Sequence, residues 1–509
     1  MMSRRKGVIL SYFYMIFEII STLFLTPFII RSLGQAEYGV FKLVCVINTY
    51  LLLLDLGVGN SIIRFIAKYR VEKNKEKERQ FLGVATIFYL VVAIIALCVG
   101  IIMAFNFPSL FAKGLSPEEA RLGQKLLIIA IVESSVVLGT AAYNNILIAY
   151  EKYEISRGAS IIQIIARIIL TFIVLLLGLG SIGILSVNLL MTFICRSFYV
   201  FYVRKIIQLK PKFKGINFSF LKEIITYSSL ILLQMIATQI NASVDQILIG
   251  SLVESSAIIL AIYGIGTQIS QYFQTVGSAS TGVLMPGVVA FVEQDPDSNA
   301  LTAEMVRISR LIFIILSFVW CGFLVYGKEF VVLWAGKEYE TSYYIALILM
   351  SAQLFILSES VGTQILWAMN KHMEQSFLKL FIVLLNIVLT VYLIKWNPLF
   401  GATIGTFISL MLGDVCVMNL IFKRKLNIRI FCYYKQLLKG ILPCMIITIL
   451  INFGISYFMP KSWGYFVLKI IILVITFSCL LLSFGMTQYE KQLSFSIISK
   501  IFHRKKSEK

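Results

Sequence analysis

The chain has 509 residues, of which 59% are hydrophobic and only 14% charged. Soluble domains run near 45–50% apolar and about 25% charged, so the composition excludes a set of soluble domains and points to membrane-spanning segments. The net charge of +20 would suggest nucleic acid in a soluble protein. In a polytopic chain it is first explained by Lys- and Arg-rich cytoplasmic loops, and no nucleic acid partner is expected. Apolar runs of about 20 residues fall at 8–30, 40–62, 81–104, 122–148, 158–179, 183–203, 224–252, 257–285, 308–326, 341–367, 377–394, 401–421, 437–459 and 464–485. The first run is too long for a signal-peptide core and lacks a small-residue cleavage site, so it reads as a retained helix. Ser116-Pro117-Glu118-Glu119 reads as an N-cap, a Pro at N1 and acids in the first turn of the fourth helix.

Fourteen spans with both termini in the cytoplasm give a charge split that fixes the orientation. Cytoplasmic segments carry 34 Lys and Arg, outside segments 8, and spans the remaining 4, namely Lys42, Arg167, Arg196 and Lys469. The basic loops also suit anionic lipid headgroups. No loop exceeds about 25 residues, too short for a catalytic, nucleotide-binding or receptor domain, and no Walker GxxxxGK[ST] occurs. The eight cysteines are scattered with no CxxC, which leaves no disulfide framework or thiolate metal cluster. The two histidines, His372 and His503, offer no His-rich metal site. Asp295-Pro296-Asp297 resembles a DxD metal motif but reads as turn chemistry.

Two distant matches at nearly one offset suggest an internal duplication. Ser11 to Gly34, followed by Tyr38-Gly39, resembles Tyr227 to Gly250, followed by Tyr263-Gly264. Ala149-Tyr150-Glu151-Lys152 and Ile168-Ile169-Leu170-Thr171 meet Ala368-Met369-Asn370-Lys371 and Ile387-Val388-Leu389-Thr390, both 219 residues later. The expected fold is all-α, with spans 1–6 (residues 1–210) and 7–12 (211–425) as two lobes in parallel repeat. Residues 426–509 add two helices and a basic tail. An even number of spans per repeat implies an axis along the membrane normal and a site near the midplane between the lobes.

Polar residues within spans are costly and mark function or interhelical bonding. Gln234, Thr238, Asn241 and Asp245 form one stripe on span 7, and Thr267, Gln271, Gln274, Ser278 and Thr281 another on span 8. Span 1 offers Tyr14, Glu18 and Ser21, span 2 Asn48 and Asp55, span 4 Glu133, Thr140 and Asn144, and span 5 Gln163 beside Arg167. Stripes on so many helices predict a shared hydrophilic cavity. Lys42 and Lys469, near span ends, read as snorkelling side chains. Arg167, near the middle of its span, needs either an acidic partner, with Glu18 and Glu133 in reach, or a ligand anion. Asp245 and Glu359 are the candidates for coupling to Na+ or H+; no other cofactor is expected.

Pro27, Arg31-Ser32-Leu33-Gly34-Gln35-Ala36-Glu37-Tyr38-Gly39, Leu54-Asp55-Leu56-Gly57-Val58-Gly59 and Arg64-Phe65 resemble the opening of Wzx-type polysaccharide flippases. These belong to the multidrug/oligosaccharidyl-lipid/polysaccharide exporter superfamily. The resemblance implies a two-lobed, non-enzymatic transporter of the bacterial plasma membrane. It would carry undecaprenyl-pyrophosphate-linked oligosaccharide to the outer leaflet by alternating access, with polysaccharide polymerase and assembly proteins as candidate partners. It also implies a cationic cavity, for which Arg167, Arg196 and Lys42 are the candidate pyrophosphate contacts. Glu18, Asn48, Asn144, Gln163, Gln234, Asn241, Gln271 and Gln274 are the candidate polar lining. A cation-coupled multidrug exporter of the same superfamily is the main alternative, since several acids lie in the spans. A membrane-embedded polymerase or ligase is disfavoured by the short outside loops.

Overall fold

The computed structural model describes residues 2–213, 219–294, 296–369, 371 and 373–492. His372, His503, Asp295 and the basic tail beyond 492 lie outside the described residues. Among those described, the chain is helical with no strand. It runs α1 Met2–Leu52, α2 Val58–Val71, α3 Lys75–Leu110, α4 Pro117–Gly139, α5 Ala141–Ala149, α6 Tyr153–Leu176, α7 Gly180–Phe201, α8 Ser219–Leu252 and α9 Ser256–Val292. Then follow α10 Ser298–Trp334, α11 Ser342–Ser358, α12 Ser360–Ala368, α13 Met373–Leu393, α14 Pro398–Leu410, α15 Met418–Leu426, α16 Ile430–Leu438, α17 Ile441–Phe458 and α18 Trp463–Leu480.

Among the described residues, eleven helical stretches are long and apolar enough to cross a membrane, and the protein is a multi-pass membrane protein. The first stretch, Phe13–Val71, has 59 residues, roughly 90 Å at 1.5 Å per residue, about three times a hydrocarbon core. It is therefore more than one span. The chain bends at Gly34, whose φ of 74° and ψ of 172° leave the helical region, a conformation that glycine adopts without steric cost. With that stretch counted twice and the long helices α8 and α9 added, the expected fourteen spans are accounted for.

The chain divides into two compact units, Met1–Gly264 with Thr390–Ala402, and Ile265–Leu389 with Thr403–Lys509. The first unit thus takes in α8 as well as α1–α7. Within it α4 packs on α1, α3 and α7, α6 on α1 and α7, and α2 on α5. Within the second, α10 is the hub for α11, α16, α17 and α18.

Local chemistry explains several boundaries. The Ser116 hydroxyl accepts from the Glu119 N–H at 3.3 Å, and the Glu119 carboxylate accepts from the Ser116 N–H at 2.8 Å. This is the capping box expected for α4. Asp297 caps α10 by accepting from the Ala300 N–H at 2.9 Å, so this half of the DxD sequence does cap work. The turn between α4 and α5 at Thr140 recurs between α11 and α12 at Glu359, the same offset of 219 residues that relates the sequence matches.

The second span departs from expectation. It is broken at Leu53–Gly57, where Leu56 and Gly57 adopt φ of 54° and 69°. The Asp55 carboxylate accepts from the Tyr89 hydroxyl at 2.6 Å, and the Gly57 and Gly59 N–H groups contribute to its electrostatic environment. The break thus sits beside a polar side chain inside the bundle, where irregular backbone at membrane depth is tolerated.

The two helices after the repeat are fixed by charge as well as packing. Lys469 is fully buried and donates to Glu329 at 2.7 Å, with the Pro460 carbonyl at 3.3 Å. The snorkelling expectation for Lys469 is thus wrong. Its helix face turns inward on α10, where Glu329 supplies the counter-charge. Arg310 of α10 donates to Glu490 at 2.6 and 3.1 Å and to the carbonyls of Gln436, Lys439 and Gly485 at 2.6, 2.9 and 2.9 Å. One guanidinium therefore ties α16, the start of α17 and the segment after α18 to α10.

Candidate functional site

The first unit gathers most of the embedded polar side chains around α1, α4, α6 and α7. Glu133 of α4 accepts from the Thr192 hydroxyl of α7 at 3.0 Å, and Gln163 of α6 donates to the same hydroxyl at 3.5 Å. Glu133 lies in the electrostatic reach of both Arg167 of α6 and Arg196 of α7. Arg196 also feels Asp55, and its guanidinium sits 5.9 Å from the Tyr199 ring centroid. Tyr14 of α1 lies in the electrostatic reach of Glu18, Arg157 and Arg167. The Arg157 guanidinium lies 5.2 Å from the Tyr14 centroid.

This arrangement answers the question posed by Arg167. Neither Glu18 nor Glu133 lies within ion-pair distance of it; the ion pairs among the described residues are elsewhere. Arg167 is half-buried, and among the described residues no acid lies within ion-pair distance of it. The acids balance the field without occupying the guanidinium fork, which suits a carboxylate or phosphate that accepts two parallel bonds.

Other predicted residues bridge neighbouring helices or lie along them. Asn48 accepts from the Ser134 hydroxyl, linking α1 to α4. Asn144 accepts from Ser156 at 3.2 Å, and Tyr199 closes the neighbouring turn by donating to the Ser156 carbonyl at 3.1 Å. Lys42 of α1 lies one helical turn beyond Tyr38. It is half-buried, with its ammonium 5.4 Å from the Tyr38 centroid. Cys45 and Glu133 interact electrostatically, as do Cys45 and Lys42, so Lys42 borders the same polar region. On α8, Gln234 and Asn241 are half-buried while Thr238 is exposed. Asp245 is buried and accepts from the Tyr263 hydroxyl at 2.6 Å and from Thr390 at 3.1 Å.

In the second unit Gln271 and Gln274 are exposed on α9. Glu359 is buried at the α11–α12 break. Its Oε1 accepts from Asn419 at 3.0 Å and from the Tyr434 hydroxyl, while Oε2 is buried with no hydrogen-bond partner. Asp414 is neutralised by Lys379 at 2.7 Å.

Sequence reasoning missed Arg157, Thr192, Tyr434 and Lys379. Arg157 and Lys379 counted only as loop charges, and a lone Thr or Tyr in an apolar run carries no signal until its partner is known.

The fold and the charged, hydrogen-bonding interior define a multi-pass helical membrane protein with polar side chains gathered inside its bundle. Two solved structures carry the same fold. One is described as "Lipid II flippase MurJ, inward closed conformation", with a TM-score of 0.71 and 17% identity over 93% of this chain and 97% of that one. The other is an inward-facing multidrug resistance MATE family transporter, with a TM-score of 0.61 and 14% identity over 81% and 94%. A MOP superfamily transporter from Pyrococcus furiosus, described by the reversed polarity of its binding pocket, gives 0.50 and 17% over 83% and 95%. No curated protein matches the chain in sequence. The model of the polysaccharide biosynthesis protein family matches residues 3–292, more than half of the chain, and the chain belongs to that family. The resemblance read from the N-terminal residues holds at the level of that family, and the two solved structures of the same fold are described as a flippase and a multidrug resistance transporter.

Proposed function

We propose that this protein moves a lipid-linked, pyrophosphate-bearing oligosaccharide, of the undecaprenyl type, from the inner to the outer leaflet of a bacterial plasma membrane by alternating access. The observation that carries the reading is Arg167: a guanidinium within a span, in the field of nearby acids yet with no ion-pair partner among the described residues. Arg196, a turn of polar side chains away, would meet the pyrophosphate nearer the cytoplasm, and Arg167 deeper in. Lys42 would add a third cation. Glycan hydroxyls need many neutral partners, which Asn48, Asn144, Gln163, Gln234, Asn241, Gln271 and Gln274 offer. Carrying an anion outward is favoured by about 2.3 kcal/mol per charge per 100 mV of inside-negative potential. Both termini are placed in the cytoplasm by the charge split, with the lobes 1–210 and 211–425 as the moving parts. Membrane lipids surround the substrate path, and a polysaccharide polymerase would receive the product.

A second reading, cation-coupled drug export, is favoured by Asp245 and Glu359, because a cationic substrate or ion prefers buried acids. Proteoliposomes separate the two. Protein that flips a fluorescent undecaprenyl-pyrophosphate oligosaccharide and leaves ethidium unmoved supports the flippase, and the reverse result overturns it. Cysteine labelling tests the orientation: position 113 should react from outside and position 424 from the cytoplasm.

A further inference from the structure

The stretch that joins α15 to α17 is basic without relief. No Asp or Glu occurs between Asp414 and Glu490, while Lys423, Arg424, Lys425, Arg429, Lys435 and Lys439 follow one another over 423–439. All six are exposed. Glu374 takes Lys425 at 2.7 Å. Among the described residues the other five have no ion-pair partner. The basic loop 64–80 differs, because Glu72, Glu76 and Glu78 alternate with its cations. There Lys68 meets Glu72 at 4.0 Å, and Glu76 is held by Lys212.

The short helix α16 sits among these cations, set off by a turn at each end. Asn427 follows α15 at a φ of 54°, and Gly440 precedes α17 at 79°. A Cβ at Gly440 would lie 2.7 Å from the Phe484 carbonyl, so the second turn needs glycine. One face of α16 is packed: Tyr433 and Leu437 have no exposed surface, and Tyr434 beside them donates its hydroxyl to Glu359. The opposite face carries Phe431, exposed to 84%, and Lys435 one turn later. Arg310 lies beneath the last turn and donates to the carbonyls of Gln436, Leu437 and Lys439 at 2.6, 3.3 and 2.9 Å. Those carbonyls are thus satisfied from within the protein, and Lys435 and Lys439 are not needed to cap them. Past Gly440, Leu442, Ile446, Leu450 and Phe453 form an exposed apolar stripe along α17, the face of a span against hydrocarbon. The exposed face of α16 stands where that stripe gives way to cations, which is the level of lipid headgroups.

We propose that the exposed face of α16 is a docking surface for anionic phospholipid, with Arg429, Lys435 and Lys439 holding the headgroups and Phe431 entering the acyl boundary. It rests on the placement of 422–440 at the cytoplasmic surface, and not on the cargo or on how transport is coupled. Unpaired cations beside an exposed aromatic ring match a negatively charged membrane surface in both of its parts. Charge argues against the chain's own tail as the occupant, since residues 493–509 carry five Lys and Arg to one Glu. The surface has a consequence inside the protein. Lys435 follows Tyr434 directly on one short helix, so lipid held on the outer face steadies the hydroxyl that Glu359 accepts from on the inner one.

The test uses the full-length protein in phosphatidylcholine nanodiscs, with Cys432 of α16 carrying a bimane label and the other seven cysteines replaced. A minor share of the lipid is brominated, as phosphatidylglycerol in one set of discs and as phosphatidylcholine in the other. Bromine quenches bimane only at close range, so the ratio of the two reads which lipid sits on α16. In the parent, brominated phosphatidylglycerol should quench about threefold more than brominated phosphatidylcholine. Each cation near an anionic surface adds about fivefold in affinity, so Arg429→Gln with Lys435→Gln and Lys439→Gln should make the two lipids equal. Lys68→Gln with Lys73→Gln and Lys75→Gln removes the same charge from the loop that acids already balance, and should keep the parental preference. Equal quenching in the parent overturns the proposal, and would leave an acidic protein segment as the occupant. A preference that survives in the α16 variant, or that vanishes equally in the loop variant, overturns it as well. Should the α16 variant fail to accumulate, salt decides on the parent alone: the preference should disappear as ionic strength rises from about 0.05 to about 0.5 M, and its persistence overturns the docking. No substrate is present, so failure here is distinct from failure of the cargo assay above.

Discussion

Replacing Lys469 by Met probes the ion pair that anchors the last two helices. Lys469 has no exposed surface and Glu329 is 8% exposed, with 2.7 Å between Nζ and Oε2. The other carboxylate oxygen of Glu329 already has no partner. Removing the lysine would leave a carboxylate buried and unpaired, a change that costs about 3–5 kcal/mol. Replacing both, as Lys469→Met with Glu329→Leu, removes the charge problem and should return most of that stability, since well-packed apolar pairs commonly match buried ion pairs. Fluorescence-detected size exclusion after heating measures this in detergent. The single variant should lose its monodisperse peak on the order of 10 °C below the parent, and the double variant within a few degrees of it. A single variant as stable as the parent would mean that water or lipid headgroups solvate Glu329, and the buried-pair reasoning would be refuted.

Three further outcomes follow from the geometry. Glu490 lies beyond the last span; burial opposes its charge, but the Arg310 guanidinium and the Thr487 N–H outweigh that and hold its carboxyl below the usual range. The depressed value gives stability that is full above the ordinary carboxylate range and lost as pH falls through the lower folded value. Thermal stability should therefore drop more steeply below about pH 4 in the parent than in Glu490→Gln, and identical slopes would contradict the assignment. Substituting Glu359 by Gln keeps the bonds from Asn419 and Tyr434 but removes the titratable site, so transport in vesicles should lose its dependence on pH or sodium. If Glu359→Gln and Asp245→Asn both leave that dependence intact, neither acid couples transport. Ser116→Ala removes half of the capping box on α4 and should cost about 1 kcal/mol, read as a small shift in the same heating assay.

How far the sequence carried is visible in particular residues. Apolar run length gave the multi-pass helical architecture because lipid imposes that pattern on any spanning helix. The α4 cap was legible because capping is local, confined to Ser116 and Glu119. The break at Leu53–Gly57 was not, since a span with Asp55 and two glycines has the hydropathy of an intact one. Only the contact with Tyr89, 34 residues away, shows why the backbone can unwind there. Lys469 misled for a related reason. A cation near a span end snorkels or pairs depending on which face turns inward, and Glu329 lies 140 residues away. The polar stripes are read one helix at a time, and which stripes meet is a tertiary fact: Gln163, Thr192 and Glu133 come from α6, α7 and α4.

The most direct measurement is the flipping rate of a fluorescent undecaprenyl-pyrophosphate oligosaccharide in proteoliposomes carrying Arg167 variants. Arg167→Gln should lower the rate by about two orders of magnitude, equivalent to roughly 3 kcal/mol for a lost charge-assisted bond. Arg167→Lys should retain part of it, since the charge stays but the fork is lost, and both should fold and reach the membrane like the parent. Parental flipping by Arg167→Gln would contradict the account. So would loss of the folded protein in that variant with recovery when Glu18 or Glu133 is also neutralised, because Arg167 would then be a structural cation and not the anion's partner.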